Sequence, residues 1–198
     1  MLATGLRQAE TDGMWLPAVA AARMMALTGW RWGEVLGLRW SEIDLARRTA
    51  RLAETKIGFS VRPLPQVVCD LIRRQDRTDD LVFPTTSGTG LMVGYRKLWL
   101  RIAKLAGLPP DVTPHVLRHS YASLAADLGY SEPIIAALIG HKLHSITSRY
   151  VHSADAALLA AADKVATETT RLMEGDKEHP QDSSDHPRRI VAGEQTAD

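Results

Sequence analysis

A mainly α-helical fold carrying one small antiparallel β-hairpin is predicted by three features of this 198-residue sequence. Apolar side chains return at helical spacing along most of the chain, alternate with polar ones only between Ile43 and Leu64, and are punctuated by Gly and Pro where one segment gives way to the next. The hydrophobic fraction of 45% and the charged fraction of 24% are those of an ordinary soluble globular chain, which sets aside disordered and membrane classes for the bulk of it. The length suits one domain with a buried core and is short for two of usual size.

The first helix expected is Trp15 to Leu27, rich in Ala and Met and ended by Thr28-Gly29. Arg23 interrupts its apolar run, which is shorter than the roughly 20 residues needed to span a bilayer. A second helix is expected from about Arg31 to Leu38, so that Arg31 stands at the junction. Thr49–Ala53 and Phe59–Arg62 alternate in polarity around a Gly-containing connection, the pattern of a hairpin with Lys56 near its tip. After Pro65 come a helix to about Arg74, a loop through Pro84 and Gly90, and an amphipathic helix from Val93 to Leu105 with Leu98, Ile102 and Leu105 facing inward.

Thr113 as N-cap and Pro114 in the first turn start a helix that runs to Leu128 and stops at Gly129. Leu117, Tyr121, Leu124 and Leu128 form its apolar stripe, which leaves His115, Arg118 and His119 on another face. Ser131 starts a short helix ended by Gly140, Ser145 opens the turn that carries Tyr150, and Ser153 to Met173 reads as an Ala-rich helix.

Net charge is +1, but it is unevenly placed. Residues 174–198 hold seven acids against three bases, a balance of −4, so residues 1–173 carry +5. That excess permits a polyanionic partner without requiring one. Residues 174–198 contain almost no large apolar groups and are expected to be a flexible polar tail, with residues 1–173 forming the domain. The single cysteine, Cys69, cannot close an internal disulfide and no secretory signal is visible, which points to a cytoplasmic location.

Two blocks carry the functional information. Thr28-Gly29-Trp30-Arg31-Trp32-Gly33-Glu34, followed by Leu36, Leu38, Trp40, Ile43 and Asp44, resembles the first signature block of the tyrosine recombinase, or phage integrase, family. Thr113-Pro114-His115-Val116-Leu117-Arg118-His119, followed by Leu138-Ile139-Gly140-His141 and Tyr150, resembles the second. The blocks stand in the family's order with the lysine hairpin between them, and the resemblance covers residues 14–173.

The resemblance implies the catalytic-domain fold of that family and a site-specific recombinase or integrase that cleaves and rejoins DNA through a 3′-phosphotyrosine. It transfers six residues: Arg31, Lys56, His115, Arg118, His141 and Tyr150. Two guanidiniums, Arg31 and Arg118, would neutralise the charge that builds on the phosphate in the transition state. Tyr150 is the implied nucleophile, and since a phenol has a pKa near 10 it needs a base, for which His115 is the candidate. Lys56 would protonate the leaving 5′ oxygen, and His141 would donate a hydrogen bond to the phosphate. Arg62 and Arg149 are read either as contacts to the DNA backbone or as solvated surface arginines.

On this reading no metal or cofactor is required, because the phosphotyrosine conserves the energy of the broken bond. The partner is double-stranded DNA, engaged by a tetramer, with neither a membrane nor a small-molecule substrate. The last helix would dock on a neighbouring subunit or on the chain's own core. The N-terminal DNA-clamping domain of the family is expected to be absent, because the signature arginine already stands at position 31. DNA binding would be weaker without the phosphate contacts of that domain, so the alternative is a truncated DNA-binding or regulatory remnant without recombinase activity of its own. A type IB topoisomerase shares the chemistry, although the spacing from His141 to Tyr150 is closer to the recombinases. A metal-dependent nuclease built on His115, His119, His141, His144 and His152 lacks the glutamate of the HExxH pattern, since Val116 follows His115.

Overall fold

The computed structural model describes residues 1–55, 58–87, 90–141 and 155–175. In chain order these form α1 (Leu2–Thr11), α2 (Leu16–Thr28), α3 (Trp32–Leu36), a 3-10 turn at Trp40–Glu42, β1 (Ile43–Asp44), β2 (Thr49–Thr55), β3 (Gly58–Pro63), α4 (Gln66–Arg73), α5 (Tyr95–Leu105), α6 (Pro114–Asp127), α7 (Glu132–Ile139) and α8 (Asp155–Glu174). This is the mainly helical class with a small antiparallel sheet that the hydrophobic pattern predicts.

The centre of the fold is α2. Its residues Ala18–Ala22 and Met24–Thr28 are all buried, as befits a helix apolar on every side. Its alanines let neighbours approach closely, and α1, α3, α4, α5, α6 and α8 all pack against it. The fold begins earlier than the sequence pattern predicts. Leu2, Leu6 and Ala9 recur at helical spacing and are buried against α5 and α8, and the Met1 amine donates to the Met173 carbonyl at 3.2 Å.

The buried face of α5 is also turned from the expected one. Tyr95, Trp99, Ile102 and Ala103 are buried, while Leu98 and Leu105 only flank the core. The two aromatics bury more area than the leucines and find polar partners inside, Tyr95 Oη donating to the Ala18 carbonyl and Trp99 Nε1 to that of Val112.

In the sheet, β2 pairs with β1 on one side and with β3 on the other, both antiparallel, so a short third strand joins the predicted hairpin. Ala50 lies opposite Arg62 and Leu52 opposite Ser60. Directly paired residues share a face, and Ala50 and Leu52 are buried, so Arg62 is carried into the interior while Val61 points outward and is exposed. The base of the hairpin is tied to α8. Arg48, a non-glycine residue at φ 54°, donates to the Leu64 carbonyl and to Asp163, whose carboxylate also accepts the Gln66 backbone N–H. Beneath this tie lies Cys69, fully buried in α4, with its thiol directed to the Leu64 carbonyl.

Among the described residues two hydrophobic clusters result. The larger surrounds α2, and the smaller joins Tyr121 and Ala125 of α6 to Leu138 and Ile139 of α7 and to Ala161, Ala162 and Val165 of α8. The inward face of α8 therefore packs on its own chain, although Ala157 stays exposed. Among the described residues no helix is long and apolar enough to cross a membrane.

Candidate active site

The site lies where the two clusters meet, and Arg118 joins them. It sits in the first half of α6, which begins at Pro114 with Thr113 in extended conformation at the N-cap. The side chain is only 4% exposed. Nη1 donates to the Gly29 carbonyl at 2.8 Å and to the Ile139 carbonyl at 2.6 Å, one acceptor at the end of α2 and the other at the end of α7. Among the described residues Nη2, itself buried, has no partner. A buried donor left unpaired costs about 1–3 kcal/mol, and more when charged, unless a ligand supplies the acceptor. Burial, reinforced by the positive charge of Arg31, pushes the Arg118 guanidinium down to about 10, so it remains charged near neutrality.

Both helix ends that serve Arg118 close on a left-handed glycine, Gly29 at φ 62° and Gly140 at φ 66°. Left-handed backbone is open to glycine at no steric cost and it frees the last carbonyls of a helix to turn toward an outside donor.

Arg31 stands at the N-cap of α3 and is anchored by Glu34 one turn on. The Glu34 carboxylate accepts the Arg31 backbone N–H at 2.9 Å and its Nη1 at 3.0 Å, while the same Nη1 reaches the Gly140 carbonyl at 3.3 Å. The Arg31 side chain is 27% exposed, against 8% for Glu34. Burial alone would raise the Glu34 carboxyl; the hydrogen bonds and charge of Arg62, together with the hydrogen bonds of Arg31, outweigh that and hold it below its usual value.

Arg62 departs from both expectations for it, a DNA contact or a solvated side chain. It is 0% exposed, with Nη1 and Nη2 each 2.8 Å from a Glu34 oxygen and with its guanidinium 5.0 Å from the Trp30 ring. Strand alternation in β3 turns it inward, so in this arrangement it has no surface to offer DNA.

His115 is exposed on the first turn of α6, with its ring edge-on to His119 at 4.6 Å between centroids. His141 follows Gly140, its backbone N–H bonded to the Ala136 carbonyl and its side chain exposed. Partial burial, and then the positive fields of Arg118, Arg31 and Arg62, lower its imidazole below the ordinary value, so it is neutral at pH 7. Lys56, Arg149 and Tyr150 lie outside the described residues.

Arg31, His115 and Arg118 line one cleft of about 370 Å³, walled by Trp32, Arg96 and Trp99 among others. A larger groove of about 730 Å³ lined by α1, α2 and α4 also holds arginines, Arg7, Arg23 and Arg74, but with the carboxylates of Glu10, Asp70, Asp76 and Glu174 among them, and Arg23 is paired with Glu10; among the described residues the smaller cleft is lined by no acid. Two contributors to the site were not legible in the sequence pattern. One is the hold of Arg62 on Glu34. The other is α5, whose polar residues Arg96, Lys97, Arg101 and Lys104 are all exposed and all basic, a face that begins at the cleft with Arg96. The segment Tyr95–Leu105 contains no acid, and that bias is its signal in the sequence. Trp30 is buried, as expected of a core Trp, whereas Trp32 is 48% exposed at the cleft.

The profile of the phage integrase family matches residues 1–157. Tyrosine recombinase XerD of Lacticaseibacillus casei is 29% identical over 157 residues, covering 73% of this chain and 53% of its own length. A crystal structure of XerA recombinase superposes with a TM-score of 0.59 at 18% identity, over 89% of this chain and 62% of the other. The Tn1549 transposon integrase, solved in complex with circular intermediate DNA, gives 0.55 at 21% identity over 78% and 61%. At these identities the superpositions show a common fold. The chain spans about half the length, or less, of the curated relatives it matches.

Proposed function

The chain belongs to the phage integrase family, and from that premise we propose that it is the catalytic domain of a site-specific DNA recombinase acting through a 3′-phosphotyrosine at Tyr150. One observation supports this most: two arginines 87 positions apart, Arg31 and Arg118, line one cleft on fixed backbone and carboxylate anchors, and among the described residues the buried Nη2 of Arg118 is unpaired. An anion with several oxygens, such as a phosphodiester, supplies the missing acceptor and matches the guanidinium geometry.

In the step proposed, Tyr150 Oη attacks the scissile phosphorus and the bond from phosphorus to the 5′ oxygen breaks. The phosphorus stays bonded to the 3′ oxygen and becomes covalently joined to Tyr150. His115 takes the phenolic proton and Lys56 gives one to the leaving 5′ oxygen. Arg31 and Arg118 bind the non-bridging oxygens, whose charge grows in the transition state, and His141 adds a hydrogen bond from its neutral ring. Attack by a 5′ hydroxyl of another strand reverses each transfer and rejoins the DNA.

Double-stranded DNA is the proposed partner, approached through the cleft and the basic face of α5, and exchange of strands in pairs calls for four copies on two sites. The proposal is tested by incubating the full chain with a pool of nicked duplexes of random sequence in EDTA and separating protein–DNA adducts under denaturing conditions. An adduct from the wild type that vanishes in Tyr150→Phe supports the reading. No adduct from the wild type, or one that survives in Tyr150→Phe, sinks it.

A further inference from the structure

We propose that Arg62 is a positioning residue for the reaction, holding the Glu34 carboxylate with both terminal nitrogens so that Glu34 cannot close on Arg31 and withdraw it from the phosphate. This rests on the recombinase reading above.

Arg62 touches both supports of Arg31. Its two terminal nitrogens occupy the two oxygens of Glu34, the carboxylate that also anchors Arg31. Its guanidinium also lies flat against Gly140, whose carbonyl is the other anchor, so closely that a Cβ at position 140 would run into it. Residue 140 must therefore be glycine twice over, for its positive φ and for the side chain beneath it. Nε of Arg62 is held by the Ser60 hydroxyl at 3.3 Å and its face by the Trp30 ring, which fix the plane of the fork.

The charges explain why a second arginine is needed. Glu34 brings one negative charge into a pocket where Arg31 is 27% exposed and otherwise free to form a two-bond fork with it. Arg62 already makes that fork. Glu34 then takes only Nη1 and the backbone N–H of Arg31, and among the described residues Nε and Nη2 of Arg31 form no bond. Stability gives no reason for such a pair, because a buried ion pair is often no better for stability than apolar residues of similar volume.

The test uses the full chain with Arg62→Met, Arg62→Lys and the double variant Arg62→Met/Glu34→Gln. Adduct formation is measured in single turnover, per folded molecule, on a nicked duplex recovered with the wild type. Arg62→Met is expected to slow it about 10²-fold, the loss typical of a reacting group displaced by an ångström. The deficit relative to wild type at the same pH, a ratio from which the protonation of His115 cancels, should then narrow as pH falls and Glu34 protonates, and it should close at neutral pH in the double variant. Among the described residues the groups facing Glu34 are Arg31, Arg62, Arg118 and His141. Of these only His141 titrates near neutrality, and its contribution is subtracted with His141→Gln in both backgrounds. Arg62→Lys keeps the charge but loses the fork, so an intermediate rate is expected.

A rate per folded molecule equal to wild type in Arg62→Met, or a loss that Glu34→Gln leaves unrelieved, overturns the inference. Two further measurements need no DNA: the carboxyl carbon of Glu34, followed by NMR against pH, and the placement of Arg31 in crystals of the variant. The Glu34 titration should move up in Arg62→Met and Arg31 should swing into a two-bond pair with Glu34; an unmoved Arg31 overturns the inference. If Arg62→Met does not fold, Arg62→Lys is read by the same criteria. A wild type that forms no adduct fails the recombinase reading alone, since these two measurements still decide the role of Arg62.

Discussion

Gly29 is pressed against the side chain of Tyr121, so that a Cβ built on it would lie 2.8–3.0 Å from Cδ1, Cγ and Cβ of that residue. This contact brings the end of α2 onto α6 and sets the Gly29 carbonyl within 2.8 Å of Arg118. Gly29→Ala must strain a left-handed residue and push the ring away. The combined cost is about 2–4 kcal/mol, measured as the loss of unfolding free energy in urea. Adduct formation per folded molecule should fall with it, because Arg118 loses its anchor.

Arg118→Lys should separate anchoring from charge. A lysine keeps one positive charge but cannot reach two backbone carbonyls and a phosphate together. Adduct formation is expected to fall by about 10²–10³-fold, the range for removing one preorganised donor from an anionic transition state. Single-turnover rates at saturating protein check this, and a loss below about threefold would count against the role given to Arg118.

Acid should destabilise the fold in two stages. His141 in the folded protein lies below its ordinary value of 6.5, so the unfolded chain takes up that proton first. Stability therefore falls as pH drops from 6.5 to the lowered value and levels off beneath it. Glu34 lies below its ordinary 4.5, so its stabilisation is full above 4.5 and is lost as pH falls through the folded value. Melting temperature against pH should show both steps, His141→Gln removing the upper one and Glu34→Gln the lower.

Along α5, Lys97→Glu and Arg101→Glu should weaken binding to duplex DNA of any sequence. For every phosphate that is no longer neutralised, the slope of log K against log salt becomes shallower by about 0.9. Fluorescence anisotropy over a salt series measures it, and an unchanged slope would remove α5 from the interface.

The hydrophobic pattern placed α2, α3, α4, α6, α7 and α8 to within a residue or two, because each is an apolar-rich segment bounded at one end or both by Gly or Pro. It misplaced the inner face of α5, where Tyr95 and Trp99 outrank the leucines. It overlooked α1, whose stripe of Leu2, Leu6 and Ala9 is short and interrupted by small or polar residues. In the site, Arg31, His115 and Arg118 could be read because the resemblance of their two blocks to the family transfers them. Arg62 could not be, because a charged residue inside a strand reads as surface until its partner is known. Its partner, Glu34, is 28 positions away across the sheet edge.

Cys69 is the chain's only thiol. Buried in α4 under the tie between Arg48 and Asp163, it has a thiol that burial pushes up, so it is both screened from solvent and poor in thiolate. An alkylating reagent can reach it only when α4 lifts from α2 and α8, which makes the rate of its modification a clock for the opening of this side of the protein. Asp163→Asn should make that clock run faster, and DNA bound at the distant cleft should slow it only as far as the two sides of the molecule breathe together.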